Sequence, residues 1–459
     1  MFPAYLRDAG YHTTNNSKTD YNATPGKDVW DASSNKAHWR NRQEGQPFFH
    51  QRTFGTSHES SLHFSAEKTT TDPATIMLAP YHPDTPTFRY TYARYHDRIR
   101  DIDAQVGEVL EELKEAGVLE DTFVFYFGDH GGVLPRGKGY AYESGLHVPL
   151  VVRIPEKWKG LVDLQRGERV NGFVSFIDFG PTLLNLAGVP IPEGMDGKPF
   201  LGKGVSSVEL SKRDETFGYA DRFDEKCDLV RTLRKGPYKY MRSYWPFTID
   251  GLQNDYRYRM LAYQEWRALY KAGKLNPTQS QFFQPRLAEA LYDLRTDPHE
   301  TANLAGSADH REILADMRKR LTDRVKGMPD LSFYPESYLV EAAMENPVAF
   351  GQAHREEIAR LVDIADLQLV SFKEAKLSLE KAIASENPWE RYWGYISASV
   401  HGPAAANGFS QQAQIAAQTD KEVMVRMRAA EFLGLTMMAE PALGILSALR
   451  DSPSAVATN

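Results

Sequence analysis

The segment Phe123-Val-Phe-Tyr-Phe-Gly-Asp-His-Gly-Gly132 constrains the fold more than any other part of the chain. Its apolar start has the length of a strand, and it stops abruptly at Asp129 and His130, with Gly131 and Gly132 behind them. A buried parallel strand delivers polar groups to the carboxyl edge of a sheet in this way, and that edge is where open α/β sheets bind ligands. A carboxylate and an imidazole held side by side suit a divalent cation, the carboxylate as a hard oxygen donor. A strand that merely ends in a solvated turn accounts for the same residues, so the neighbouring sequence has to decide.

In Gly137-Lys-Gly139 an ammonium group stands between two glycines, which lets the backbone bend closely around an anion while Lys138 points into the space beside the strand end. Residues 146–153 read as the next short buried strand and residues 170–176 as another, leading through the helix cap Asp178 into a helix with Pro181 in its first turn. Upstream, Tyr92, Tyr95, Ile99, Ile102, Val106, Val109 and Leu113 recur at intervals of three and four. That spacing predicts a long amphipathic helix over 92–118, turning at Gly117 into the strand. Helix followed by strand is the unit of a doubly wound α/β sheet. Between residues 215 and 244 the pattern shifts to short β-rich pieces, with Lys235-Gly-Pro237 as a hairpin turn. Residues 291–294 close a small antiparallel sheet, residues 256–273 form a helical insertion, and beyond Pro329 the chain reads as helical.

A chain of 459 residues is long enough for two or three domains. A net charge of −7, with no basic stripe, argues against nucleic acid as a partner. No apolar run approaches the length of a membrane span, and the first residues lack the apolar region of a secretory signal. The single cysteine, Cys227, excludes an intrachain disulfide and reads as a buried or half-buried thiol.

Several blocks, taken in order, resemble the sulfatases, the formylglycine-dependent members of the alkaline-phosphatase-like superfamily. They are Ala9-Gly-Tyr-His-Thr-Thr14 with Lys18, Pro47-Phe-Phe49 with Ser57-His-Glu59, and the strand ending in Asp129-His130-Gly131. Further blocks are Gly137-Lys-Gly139, Ser175-Phe-Ile-Asp-Phe-Gly-Pro-Thr-Leu-Leu184 with Ala187-Gly-Val-Pro190, and Leu291-Tyr-Asp-Leu-Arg-Thr-Asp-Pro-His-Glu300. The resemblance covers roughly the first two thirds of the chain and is far more specific than any single motif. It implies an alkaline-phosphatase-like doubly wound sheet lacking its first strand over residues 1–205, and a small antiparallel α+β subdomain over 206–330. Residues 331–459 form a helical tail. In that tail, residues 387–395 and 423–434 resemble first helices of HEAT-type repeats, with residues 441–449 as a second helix; an irregular helical tail is the alternative.

The resemblance also implies roles. Asp129 and His130 are the surviving half of a divalent-cation site, most consistent with calcium; Lys18 and Lys138 hold the sulfate oxygens; His58 contacts the sulfate and serves as general acid. His147 is a weaker candidate, read first as a satisfied histidine at a strand start and otherwise as lining the substrate opening, and Arg222 and Arg231, with Arg242, Tyr244 and Trp245, form a sugar-binding rim or else solvated hairpin side chains. His12 is a weaker candidate, and Asp20 stands where many sulfatases place a histidine.

The chain departs from the family at its start, where neither the paired Asp ligands nor the Cys-x-Pro/Ala-Ser-Arg element that yields formylglycine is present. This reads as a fragment or a late translation start, and residues 451–459 read as a further repeat cut short. The expected function is sulfatase action on sulfated carbohydrate, with an N-sulfoglucosamine or glycosaminoglycan type favoured by the contexts of residues 56–60 and 220–225. These 459 residues are expected to be inactive alone, and the full-length protein to be periplasmic or secreted. A phosphatase or phosphonate monoester hydrolase of the same superfamily is the second reading. The third is a noncatalytic anion-binding protein whose helical tail binds a protein partner.

Overall fold

The computed structural model describes residues 1–450 apart from 22, 25, 64–67 and 439. The further repeat read at 451–459 lies outside the described residues. Helix α1 (Phe2–Asp8) leads into β1 (His12–Asn16), which is flanked by β2 (Ala32–Ser33) and β3 (Phe48–Arg52), both parallel to it. Helix α2 (Pro86–Glu115) starts where Thr85 Oγ1 accepts the Phe88 N–H at 3.2 Å, with Pro86 in its first turn. It ends before Gly117, whose φ of +68° suits glycine, and the chain then enters β4 (Val124–Phe127).

The doubly wound parallel sheet expected around β4 does not form among the described residues. After the short helix α3 (Glu143–Leu146), β5 (Leu150–Arg153) returns antiparallel to β4, pairing Val124 with Arg153 and Phe127 with Leu150. An apolar run of this length carries no information on the direction of its partner. Nor is 170–176 a strand: its extended backbone makes one cross-chain bond, Phe173 N–H to Arg213 O at 2.7 Å. At Gly172 an added Cβ would lie 1.9 Å from Leu210 O, so the segment is packed against the short helix Ser207–Ser211 rather than laddered. Helix α4 (Phe179–Ala187) follows and stops at left-handed Gly188.

The second sheet follows the sequence reading closely. Strands β6 (Glu215–Ala220), β7 (Val230–Lys235), β8 (Tyr238–Ser243) and β9 (Glu289–Asp293) form an antiparallel sheet in that order, with Gly236 (φ +52°) in the β7–β8 turn. One core runs from this sheet into the helices Arg311–Gly327, Arg355–Asp366, Phe372–Ile383, Pro388–Ser399 and Val423–Leu435, joining Leu233, Leu291, Ile358, Trp393 and Phe432. A separate aromatic core, in which Trp266 stacks on Phe282 at 4.3 Å, fills the space between α2 and the helical insertion Leu261–Lys271. Among the described residues no helix is long and apolar enough to cross a membrane.

Candidate functional site

Asp129 and His130 leave the end of β4 as the sequence suggests. The Asp129 carboxylate is 67% exposed, and its Oδ1 lies 3.5 Å from His130 Nε2. His130 Nδ1 donates to Gly131 O at 2.7 Å, which fixes the neutral tautomer and leaves the Nε2 lone pair facing Asp129. Burial is the main cause that lowers the His130 pKa, opposed by the Gly131 hydrogen bond and the Asp129 charge.

This donor set passes a chemical test for a hard cation in part. Metal-bound histidines commonly donate their other ring N–H to a carbonyl, as His130 does. A cation of the calcium type takes six to eight oxygens, however, and among the described residues no three His, Cys, Asp or Glu side chains converge. Asp129 and His130 would by themselves supply only two of the donors that such a cation needs.

The loop from Gly131 to Leu146 places Lys138, and its glycines serve the loop's own packing more than the approach of a ligand. An added Cβ would sit 2.0 Å from Ser144 O at Gly131, 2.0 Å from Gly132 O at Gly137 and 2.1 Å from Tyr140 O at Gly145. Backbone bonds from Lys138 N to Gly132 O (2.8 Å) and from Gly131 N to Gly145 O (2.9 Å) close the loop. Beneath it, the Arg136 guanidinium lies 3.5 Å from the Tyr142 ring centre and donates to His299 O and Glu300 O. His82, fully buried, donates from Nε2 to Pro135 O and accepts the Tyr92 hydroxyl at Nδ1 (2.7 Å).

Two buried charges that the sequence did not single out hold Lys138 from below. Glu59 Oε2 is 3.8 Å from Lys138 Nζ, and its other oxygen is 3.4 Å from Arg257 Nε. Arg257 also donates to Lys138 O at 2.5 Å and stacks 4.0 Å over Phe223. Burial raises the Glu59 pKa, opposed by Arg257 and Lys138. No local pattern announces the pair, because its members come from distant parts of the chain.

His58 caps the short 3-10 turn Glu59–Leu62: its Nδ1 accepts the Ser60 N–H and lies 2.9 Å from Ser60 Oγ. The ring proton is therefore on Nε2, the opposite tautomer to His130. Its pKa is lowered by burial first, then by the charges of Lys138 and Lys18, while the Asp129 carboxylate opposes them. Lys18 is more exposed than Lys138 and pairs with Asp20 at 3.2 Å.

The remaining candidates lie elsewhere. His147 is 70% exposed, 3.4 Å from Glu143, and lines a different cleft with Arg136 and Glu300. Arg222 bonds Glu336. Arg231 is buried between Asp221 and Asp330, and Arg242 is buried on Asp366 and the Ala365 carbonyl, with Tyr244 buried beside it. The sugar rim read from Arg231, Arg242 and Tyr244 is thus corrected: they join the sheet to the helices packed on it. Cys227 is half-buried, and burial raises its pKa. His12 lies 3.7 Å from Asp31.

Residues 1–189 match the family described as sulfatase, and residues 128–255 match the family described as N-sulphoglucosamine sulphohydrolase, C-terminal. An ulvan-active sulfatase of Formosa agariphila is 35% identical over 377 residues, which cover 74% of this chain and 62% of that protein. N-sulphoglucosamine sulphohydrolase of Homo sapiens is 28% identical over 264 residues, covering 54% of this chain and 50% of the human protein. A solved structure in complex with D-glucosamine-2-N,6-O-disulfate matches 71% of this chain and 81% of its own, with a TM-score of 0.46 and 15% identity. The chain therefore spans half to three fifths of the length of these two curated relatives.

Proposed function

The chain belongs to the sulfatase family, and from that premise we propose that it carries the anion-binding and leaving-group side of a site that hydrolyses sulfate esters or sulfamates of carbohydrates. The observation that supports this best is the pair of opposed histidine tautomers beside Lys138. His130 offers a lone pair next to a carboxylate, and His58 offers an Nε2–H next to two ammonium groups. One arrangement suits a cation, the other an oxygen that gains negative charge.

In this reading Lys138 and Lys18 bind the sulfate oxygens. Lys138, fixed by Glu59 and Arg257, stabilises charge as the bridging oxygen departs. His58 donates its Nε2 proton toward that oxygen, and Ser60 holds the ring in the donating orientation. A cation such as calcium at Asp129 and His130 would polarise the sulfate, while the family's formylglycine would supply the nucleophile. The only cysteine here, Cys227, lies outside the formylglycine context, so these 459 residues alone provide no such nucleophile. The helical tail is read as a HEAT-like array able to engage a protein, and the working compartment as periplasmic or extracellular.

The test uses a polypeptide that joins a formylglycine-bearing segment to these residues. Release of sulfate from sulfated glucosamine should be measurable, and Lys138→Ala should lower turnover by about two orders of magnitude. The 459 residues alone should release none. Faster cleavage of a phosphonate monoester than of any sulfate ester would replace this reading with the phosphonate one.

A further inference from the structure

The helical insertion carries a second cationic surface beside the first. Ala262, Tyr263 and Trp266 bury one face of the helix Leu261–Lys271. Arg267 and Lys271 lie one turn apart along the flank of that face, Arg267 half-buried and Lys271 exposed. With Gln253, Tyr258, Arg259 and Gln264 they line an open cleft of about 570 Å³, a size typical of ligand sites.

The cleft is built for flat anionic and hydroxylated groups. The Arg267 guanidinium lies 3.8 Å over the Tyr258 ring and donates to Gln253 Oε1, so its plane is fixed. The lining carboxylate, Asp255, accepts from Gln253 at 2.6 Å. Arg259 is exposed and lies 5.6 Å over Tyr256, whose ring stands edge-on to His63 at 4.5 Å and 6.3 Å from His58. Tyr256 is therefore shared between the His58 pocket and the Arg259 end of the cleft, and a polymer with one sulfate at Lys138 has a cationic path for its neighbouring units.

We propose that this cleft binds the sulfated sugar units flanking the one held at His58 and Lys138, so that the chain takes a sulfated polysaccharide strand rather than an isolated sugar. The inference rests on the sulfate reading of that pocket. Arginine forks and Lys271 pair with sulfate oxygens, and the glutamine amides with hydroxyls.

The test measures binding of heparin, unsulfated dextran, a single-stranded oligonucleotide and inorganic sulfate to the full chain. Arg259→Ala/Arg267→Ala/Lys271→Ala should bind heparin about tenfold more weakly and with a shallower salt dependence, while inorganic sulfate binding stays unchanged. Arg259→Glu/Lys271→Glu, which alters exposed side chains alone, should weaken heparin further, and dextran should not bind. Heparin affinity unmoved by either variant, with sulfate binding still lost in Lys138→Ala, overturns the cleft and spares the pocket. Equal binding of the oligonucleotide, lost in the same variants, overturns the carbohydrate assignment. Sulfate binding unchanged in Lys138→Ala overturns the pocket, and the cleft as its extension falls with it.

Discussion

The antiparallel sheet with its helices and the region that carries the site are held together differently. In β7, residues 230–233 are all buried, and the helices packed on that sheet contribute Trp393, Ile396 and Phe432, each 0% exposed. In the β4–β5 pair, Phe127 is 40% and Val151 61% exposed. What fixes the site is a set of short backbone bonds, glycine contacts and buried charges in the loop around Lys138. Apolar area therefore governs whether the molecule folds, while polar geometry governs how the Lys138 side chain is held.

The sharpest contrast comes from paired truncations. Trp393→Ala removes a fully buried ring and leaves Phe333 O without the indole N–H it accepts at 2.7 Å, so it should cost about 3–5 kcal/mol in urea unfolding. Phe127→Ala, at an exposed strand end, should cost less than about 1 kcal/mol. Equal losses would break the comparison.

Asp178 comes next. Read from sequence as a simple helix cap, it accepts the Ser175 N–H at 3.0 Å and the Lys198 N–H at 2.8 Å, tying α4 to a distant segment. Asp178→Ala should destabilise by about 2 kcal/mol without changing sulfate binding, measured by unfolding and titration together. A loss of sulfate affinity in the folded variant would place Asp178 in the site.

A smaller, graded effect is expected from acid. Burial is the main cause that depresses His50 and His63 to about 4 and His82 to about 3, all in the site-bearing region. Between those values and the ordinary 6.5 the unfolded chain binds more protons than the folded one. The stability these neutral rings contribute is present above pH 6.5 and lost as pH falls toward 4. Melting temperature should drop across that window, and hydrogen exchange should rise first around β3 and the Lys138 loop. A flat profile, or earlier opening of the sheet and tail helices, would contradict the contrast.

What the sequence made legible follows from distance along the chain. Helix α2, the β7–β8 hairpin and the strand ending at Asp129 announce themselves through local period, turn chemistry and glycine. Lys138 had local support from its glycines, although the structure assigns those glycines to loop packing. Lys18 and His58 were visible through family resemblance alone. The antiparallel return of β5, the Glu59–Arg257 pair beneath Lys138 and the burial of Arg231 depend on partners far away in sequence, and no local pattern encodes them.

The central claim is that Lys138, Lys18 and His58 form one anion pocket, and titration of the His58 ring by NMR tests it most directly. In the free protein its pKa should lie below the ordinary histidine value and rise in Lys138→Ala, because a neighbouring positive charge is gone. Saturating sulfate should raise it in the unaltered chain, since the dianion stabilises the imidazolium, and should leave it nearly unmoved in Lys138→Ala. Lys235→Ala, which removes the same charge from the distant hairpin where it pairs with Asp214, should behave like the unaltered chain. A sulfate response that is absent, or that survives loss of Lys138, would contradict the account.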